Sequence, residues 1–143
     1  MNMINIKKGE IILCNSGFII NKKTKKEDLE RDIPDLIIRK NYIDNDNKHY
    51  NCWGDIEHGD YIYIIVSFYK GKLSSVKILP QHHGKNLSEL PYCSDCNTDW
   101  KEVYDWYHKY FDKDFQKFSW GDAAYIKGTD SIYFPTEIII NYY

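Results

Sequence analysis

The sequence predicts an α+β fold: a mainly antiparallel β-sheet meander with two helices packed on it. Three observations carry that prediction. Apolar residues alternate with period two from Leu36 to Leu79, a period-3.6 stripe begins near Trp100, and the chain closes on the strand-forming run TEIIINYY. Period two sends side chains to opposite faces of a strand, whereas period 3.6 gathers them on one face of a helix. Strands that are not interleaved with helices in a βαβ rhythm favour helices segregated onto one face of an antiparallel sheet. With 143 residues the chain suits one domain, residues 1–143, able to bury a core without disulfides or metal.

Each element has its own signals. INIKKGEIILCNSGFII, residues 4–20, alternates apolar runs with the turn signals KKG and NSG, which predicts two or three short strands. In TKKEDLERDIP, Thr24 and Glu27 have capping-box spacing and Pro34 closes the segment, so a short helix is expected over residues 25–32. Four strands then follow, in DLIIRKNYI, HYNCWGDI, YIYIIVSFY and KLSSVKIL, separated by NDN, EHGD and KGK. In the third, Ile62, Ile64, Val66 and Phe68 share one face and Tyr61, Tyr63, Ile65 and Tyr69 the other, the pattern of a central strand covered in part on both sides. Residues 80–98 read as a long connection.

A second helix is expected over residues 99–112, capped by Asp99, with a buried stripe of Trp100, Val103, Tyr104, Tyr107, His108 and Phe111. Two or more strands follow, and the last must be tied into the sheet, because a free apolar strand aggregates. Trp53-Gly54-Asp55 and Trp120-Gly121-Asp122 rhyme, but one recurrence falls short of a repeat.

Charge and cysteines narrow the class of function. The net charge is −2, which excludes the strong basic field of a nucleic-acid binder. Residues 1–50 carry ten Lys/Arg against eight Asp/Glu and residues 51–143 nine against thirteen, a mild later acidity that suits a basic partner. Lys7 and Lys8 before Ile11, Ile12, Leu13 and Cys14 imitate a lipoprotein signal, but the apolar run is too short. No stretch approaches the roughly 20 apolar residues of a membrane span. A cytoplasmic protein with reduced Cys14, Cys52, Cys93 and Cys96 is expected, without membrane or direct nucleic-acid contact.

The most conspicuous chemistry is PYCSDC, residues 91–96, downstream of His82 and His83. A structural zinc site needs four ligands, commonly two closely spaced pairs. Cys93 and Cys96 form one pair, but adjacent His82 and His83 diverge in an extended segment, so the site would need Cys14 or Cys52 as well. A zinc-binding regulatory or nucleic-acid-binding module is the alternative reading. A thioredoxin-type pair would open a helix after a strand, whereas this one lies in a connection. G-x-S-x-G, H-E-x-x-H and a glycine-rich phosphate loop are all missing, and the five histidines have no recognisable partner set. A non-catalytic binding protein without cofactor is therefore expected. Its candidate contacts are turns that combine acids with aromatics: Trp53, Asp55, Glu57, His58, Asp60 and Tyr61 in one, Trp120, Asp122 and Tyr125 in the other. Acids steer a basic partner and aromatics anchor it.

Several motifs also resemble a known group. The segment GFIINKKTKKEDL, the strand turn FYKGKLSSVKIL, the Trp-led helix, FSWGD and the terminal TEIIINY resemble small bacterial immunity proteins of contact-dependent inhibition and polymorphic toxin systems. The likeness spreads over residues 9–142 in short motifs, and the helix followed by a strand with G-K-L also looks like the β-lactamase-inhibitor-like fold. The resemblance implies a cytosolic, non-catalytic protein that binds a cognate toxin domain, such as a nuclease, and blocks its active site. It transfers no contact residues, since toxin contacts in that group vary from pair to pair.

Overall fold

The computed structural model describes residues 3–13, 16–55, 61–80, 100–128 and 136–143. Three short strands come first: β1 (Ile4–Asn5), β2 (Glu10–Leu13) and β3 (Phe18–Ile20), a separate antiparallel sheet in that order. Helix α1 (Lys26–Asp32) and a 3-10 turn (Pro34–Leu36) lead into the meander of β4 (Ile37–Tyr42), β5 (Asn47–Asp55), β6 (Tyr61–Tyr69) and β7 (Lys72–Pro80). Helix α2 (Trp100–His108) precedes β8 (Phe115–Lys117), β9 (Gly121–Ile126) and β10 (Glu137–Tyr142). Strands β4 to β10 form one seven-stranded sheet in the order β4-β5-β6-β7-β10-β9-β8, antiparallel throughout. This is the α+β architecture the patterning predicts.

The meander follows its turn chemistry. Lys70 and Gly71 have φ of +50° and +79°, the left-handed pair that a two-residue hairpin requires to match strand twist. Strands β5 and β6 pair without a slip from Asn47↔Tyr69 to Asp55↔Tyr61. Between β6 and β7 the register shifts at Ser67/Phe68, and the extra residue, Ser74, donates its hydroxyl to the Ser67 carbonyl at 2.9 Å.

The sheet has an inner and an outer face. The inner face presents Tyr50, Cys52, Ile62, Ile64, Val66, Val76, Ile78, Ile138 and Ile140, all fully buried or nearly so. Met3, the small sheet (Ile11, Leu13, Ile20), Leu29 of α1, Val103, Trp106 and Tyr107 of α2, and Phe111 just beyond it join the same core. Strand β10 inserts between β7 and β9 as an interior strand, so the final apolar run is paired on both sides. Two side chains from this half clasp the turn between β1 and β2. Trp120 Nε1 donates to the Ile6 carbonyl at 2.7 Å, and the Tyr142 hydroxyl donates to the Gly9 carbonyl at 3.0 Å. Gly9, at φ +66°, lies against the Trp120 ring, where a Cβ would collide with it.

Three local expectations need correction. The cap of α1 is Lys25, whose backbone N–H donates to Asp28 Oδ2 at 2.9 Å, while the Thr24 hydroxyl accepts from the Asn21 N–H at 3.0 Å. Thr24 thus closes the preceding turn, and Asp28 takes the role expected of Glu27. Helix α2 ends at His108 rather than 112, because Tyr107 begins to serve a tight turn: its carbonyl accepts from both Tyr110 and Phe111 N–H at 3.1 Å. Its buried stripe is also rotated. Trp106 is 9% exposed and Tyr104 37%, so the sheet takes Val103, Trp106, Tyr107 and Phe111. The caps and stripe positions expected at Asp99, and the side chains of Trp100 and Glu102, lie outside the described residues.

Candidate binding surface

The outer face is where the seven-stranded sheet departs from a simple core-forming layer. Register fixes its rows, because residues opposite each other in a ladder share a face. One row reads Asn41, His49, Ser67, Ser75, Asn141, Asp122 and Lys117, a polar residue on every strand. The neighbouring row reads Arg39, Asn51, Ile65, Lys77, Ile139, Ala124 and Phe115. At the usual strand spacing each row spans roughly 29 Å.

The polar row is internally bonded. His49 Nδ1 lies 2.6 Å from Ser67 Oγ. Asp122 accepts from Asn141 Nδ2 and from the Tyr143 hydroxyl, both at 2.8 Å, so each carboxylate oxygen has a donor. The Tyr143 hydroxyl is in turn held above its ordinary pKa, first by that hydrogen bond. His49 and Ser67 resemble a base–nucleophile pair, but the acid of the row, Asp122, stands four strands away, roughly 19 Å, too far to orient the imidazole. With Ser67 and Asp122 buried and bonded within the chain, the row serves the packing of the sheet rather than nucleophilic chemistry.

Apolar exposure on the same face falls at strand ends and on the edge strand β8. Tyr69, Phe115 and Ile126 are 49%, 52% and 43% exposed. Lys77 pairs with Glu137 at 3.9 Å, and Lys117 lies over the Phe115 ring at 6.0 Å. Apolar side chains rimmed by mixed charge are characteristic of protein contact surfaces.

The expected contact residues are divided by the fold. Trp53 sits on the outer face, 8% exposed, edge-to-face with Tyr63 at 5.2 Å and flanked by Ile65 and Leu79. Asp122 is on the outer face four strands away. Trp120, 6% exposed, belongs to the inner core, stacked on Phe118 at 4.9 Å. Tyr125 packs edge-on to Tyr104 at 5.2 Å, also on the inner side. The two Trp-Gly-Asp turns are thus not brought together, and both tryptophans are packed into the fold instead of presented as anchors. Glu57, His58 and Asp60, with the side chains of Asp55 and Tyr61, lie outside the described residues, as do His82, His83, Cys93 and Cys96. Cys52, a conceivable fourth zinc ligand, is fully buried on the inner face, where burial pushes its thiol up to about 12. Among the described residues, no group of three His, Cys, Asp or Glu is placed to hold a metal ion. The outer-face residues Phe115, Ile126, Lys117 and Asn141 escape sequence reasoning because their grouping depends on β10 entering the middle of the sheet.

A second polar cluster sits at the other end of the sheet. The Tyr50 hydroxyl donates to Glu30 Oε1 at 2.7 Å and lies 2.9 Å from the Tyr42 hydroxyl. Since its one proton goes to Glu30, Tyr42 donates to Tyr50. Lys40 reaches the same carboxylate at 3.4 Å. The Tyr50 hydrogen bond, ahead of Lys40, holds Glu30 below the usual glutamate range, while burial and then Glu30 hold Tyr50 well above the usual tyrosine range. This cluster ties α1 to β4 and β5.

Among the described residues no helix is long and apolar enough to cross a membrane. Comparison of the chain with known protein families, characterised proteins and solved structures finds no match.

Proposed function

We propose that this chain is a non-catalytic, cytoplasmic immunity-type protein that binds a cognate bacterial toxin domain and occludes its active site. The observation that supports this most is the apolar exposure at the β8–β9 end of the outer face. The small sheet, α1 and α2 all contribute to the inner core, and Asn51, Trp53, Tyr63, Ser67 and Asp122 of the outer face are buried as well, but Phe115 and Ile126 stay exposed, with Lys117 over the Phe115 ring and Glu137 opposite Ile126. An exposed ring and aliphatic side chain flanked by both charge signs suit a protein surface better than a small molecule. The motif order of the sequence points the same way. A nuclease with a basic cleft suits the acids at residues 55–60, whereas the described outer face carries both signs.

The test is co-expression with the product of the gene immediately upstream. That product should arrest growth alone and be neutralised by this protein. Phe115→Glu with Ile126→Glu should abolish protection while the far-UV circular dichroism stays unchanged. A neighbour that is harmless alone, or that kills equally in the presence of this protein, overturns the immunity reading. Full protection by the double variant overturns the assignment of the outer face.

A further inference from the structure

We propose that His108 is a proton-operated latch: as the imidazolium it locks the turn between α2 and β8, and with it the strand that carries Phe115. Both ring nitrogens face acceptors. Nδ1 lies 2.9 Å from the Phe111 carbonyl oxygen, and Nε2 lies 2.9 Å from Asp114 Oδ1. A carbonyl oxygen and an ionised carboxylate only accept, so both contacts are hydrogen bonds only when both nitrogens carry a proton. A neutral ring has a single N–H. Whichever contact keeps it, the other nitrogen turns a lone pair toward oxygen.

The surroundings suit the cation. His108 is the last residue of α2, where the helix dipole favours positive charge. The Tyr104 and Tyr107 ring centroids lie 4.3 Å and 5.0 Å from that of the imidazole, within cation–π range. Tyr125 of β9 packs against both tyrosines. Asp114 is the charged side chain bonded to the ring. Asp105 lies one turn back on the same helix, and Lys109 and Lys113 flank the turn in the chain. The His108 side chain is 22% exposed, so protons exchange with solvent without any opening of the core.

The two contacts join the end of α2 to the start of β8. Asp114 directly precedes Phe115, and its carbonyl accepts from the Tyr125 N–H of β9 at 2.8 Å. Other bonds hold the same turn without a titrating imidazole. The Asp112 N–H donates to Gln116 Oε1 at 3.0 Å, and the Tyr107 hydroxyl donates to the Lys113 carbonyl at 2.6 Å. Burial first keeps that hydroxyl above the ordinary tyrosine range, so it remains a donor throughout. Loss of the His108 proton therefore loosens Asp114 and the three-residue edge strand β8 without unfolding the turn. The latch is a property of the free chain. Only its consequence for binding, a better ordered Phe115 at lower pH, rests on the outer-face reading, so the two can fail separately.

The test follows the His108 ring nitrogens, the amides of residues 111–117 and the Tyr125 amide by NMR of the isotope-labelled full chain, from about pH 5.5 to about pH 8.5. At the acid end both ring nitrogens should be protonated. As the ring loses its proton, the amide signals of residues 112–117 should shift in step with it. Protection of the Tyr125 N–H, corrected for the intrinsic pH dependence of exchange, should fall about fivefold, a modest change because Asp114 is open to solvent. Asp114→Asn separates a latch from a merely structural contact. Its amide accepts from a charged ring and, once flipped, donates to a neutral one, so β8 should stay ordered and lose its pH dependence. The amide spectrum of the variant reports independently that it is folded. A ring that stays neutral throughout, β8 signals that do not follow the ring, or an unchanged pH response in Asp114→Asn would overturn the proposal.

Discussion

The two Trp-Gly-Asp steps share three residues and almost nothing else. In Trp53-Gly54-Asp55 all three lie within β5, so alternation decides their faces: Gly54 inward, Trp53 outward against Tyr63. In Trp120-Gly121-Asp122 the tryptophan precedes β9, in the two-residue turn closed by the Phe118 N–H donating to the Gly121 carbonyl at 2.7 Å. Freed from strand alternation, its ring swings into the core, stacks on Phe118 and reaches the Ile6 carbonyl. The glycines differ as well. A Cβ on Gly54 would meet only side chains, Ile62 Cγ1 at 3.0 Å and Leu13 Cδ2 at 3.1 Å, whereas one on Gly121 would collide with the Asn141 carbonyl oxygen of β10. A short motif acquires its role from its phase in the strand, not from its letters.

The largest test of that contrast is deletion of each ring. Trp120→Ala should cost about 4 kcal/mol, because it opens a cavity in the core and removes one of the two donors that clasp the β1–β2 turn. Trp53→Ala should cost about 2 kcal/mol, since a satellite cluster of two buried rings relaxes more easily. Urea unfolding with a constant slope measures both. Equal losses would show that the two steps are energetically alike after all. The glycines come next. Gly121→Ala should cost about 3 kcal/mol, because the β9 and β10 backbones must part, and Gly54→Ala about 1 kcal/mol, because Leu13 and Ile62 can shift.

Legibility in the sequence follows the range of the interaction. The meander is readable because each boundary is local: NDN and KGK make turns, and period two assigns Ile62, Ile64 and Val66 to the buried face without reference to anything distant. The stripe of α2 is readable only in part. Val103, Tyr107 and Phe111 fit two helical faces, and the choice between Tyr104 and Trp106 rests with the sheet packed beneath them. The outer-face rows are the least legible. They exist because β10 pairs with both β7 and β9, joining Ser75, Asn141 and Asp122 across more than 60 residues of chain, and no local pattern specifies that insertion. Acids and aromatics close in sequence suggested Trp120 and Tyr125 as contacts, but core packing claims both.

The smallest expected effect concerns the polar clusters that flank the two steps. At the Trp53 end, Glu30 is held below its ordinary 4.5 by the Tyr50 hydroxyl first and Lys40 next. A carboxyl whose pKa is lower in the folded chain binds more protons when unfolded, so its contribution is fully present above the ordinary value. It disappears as pH falls through the lower folded value. Glu30→Gln should therefore cost about 1 kcal/mol at neutral pH and progressively less below about pH 4.5, where the native carboxylate also becomes protonated. Paired urea titrations of the native chain and the variant across pH 3 to 7 read this directly. Converging curves at low pH would place the acid sensitivity in the α1–β5 tie. Parallel curves would remove Glu30 from that role.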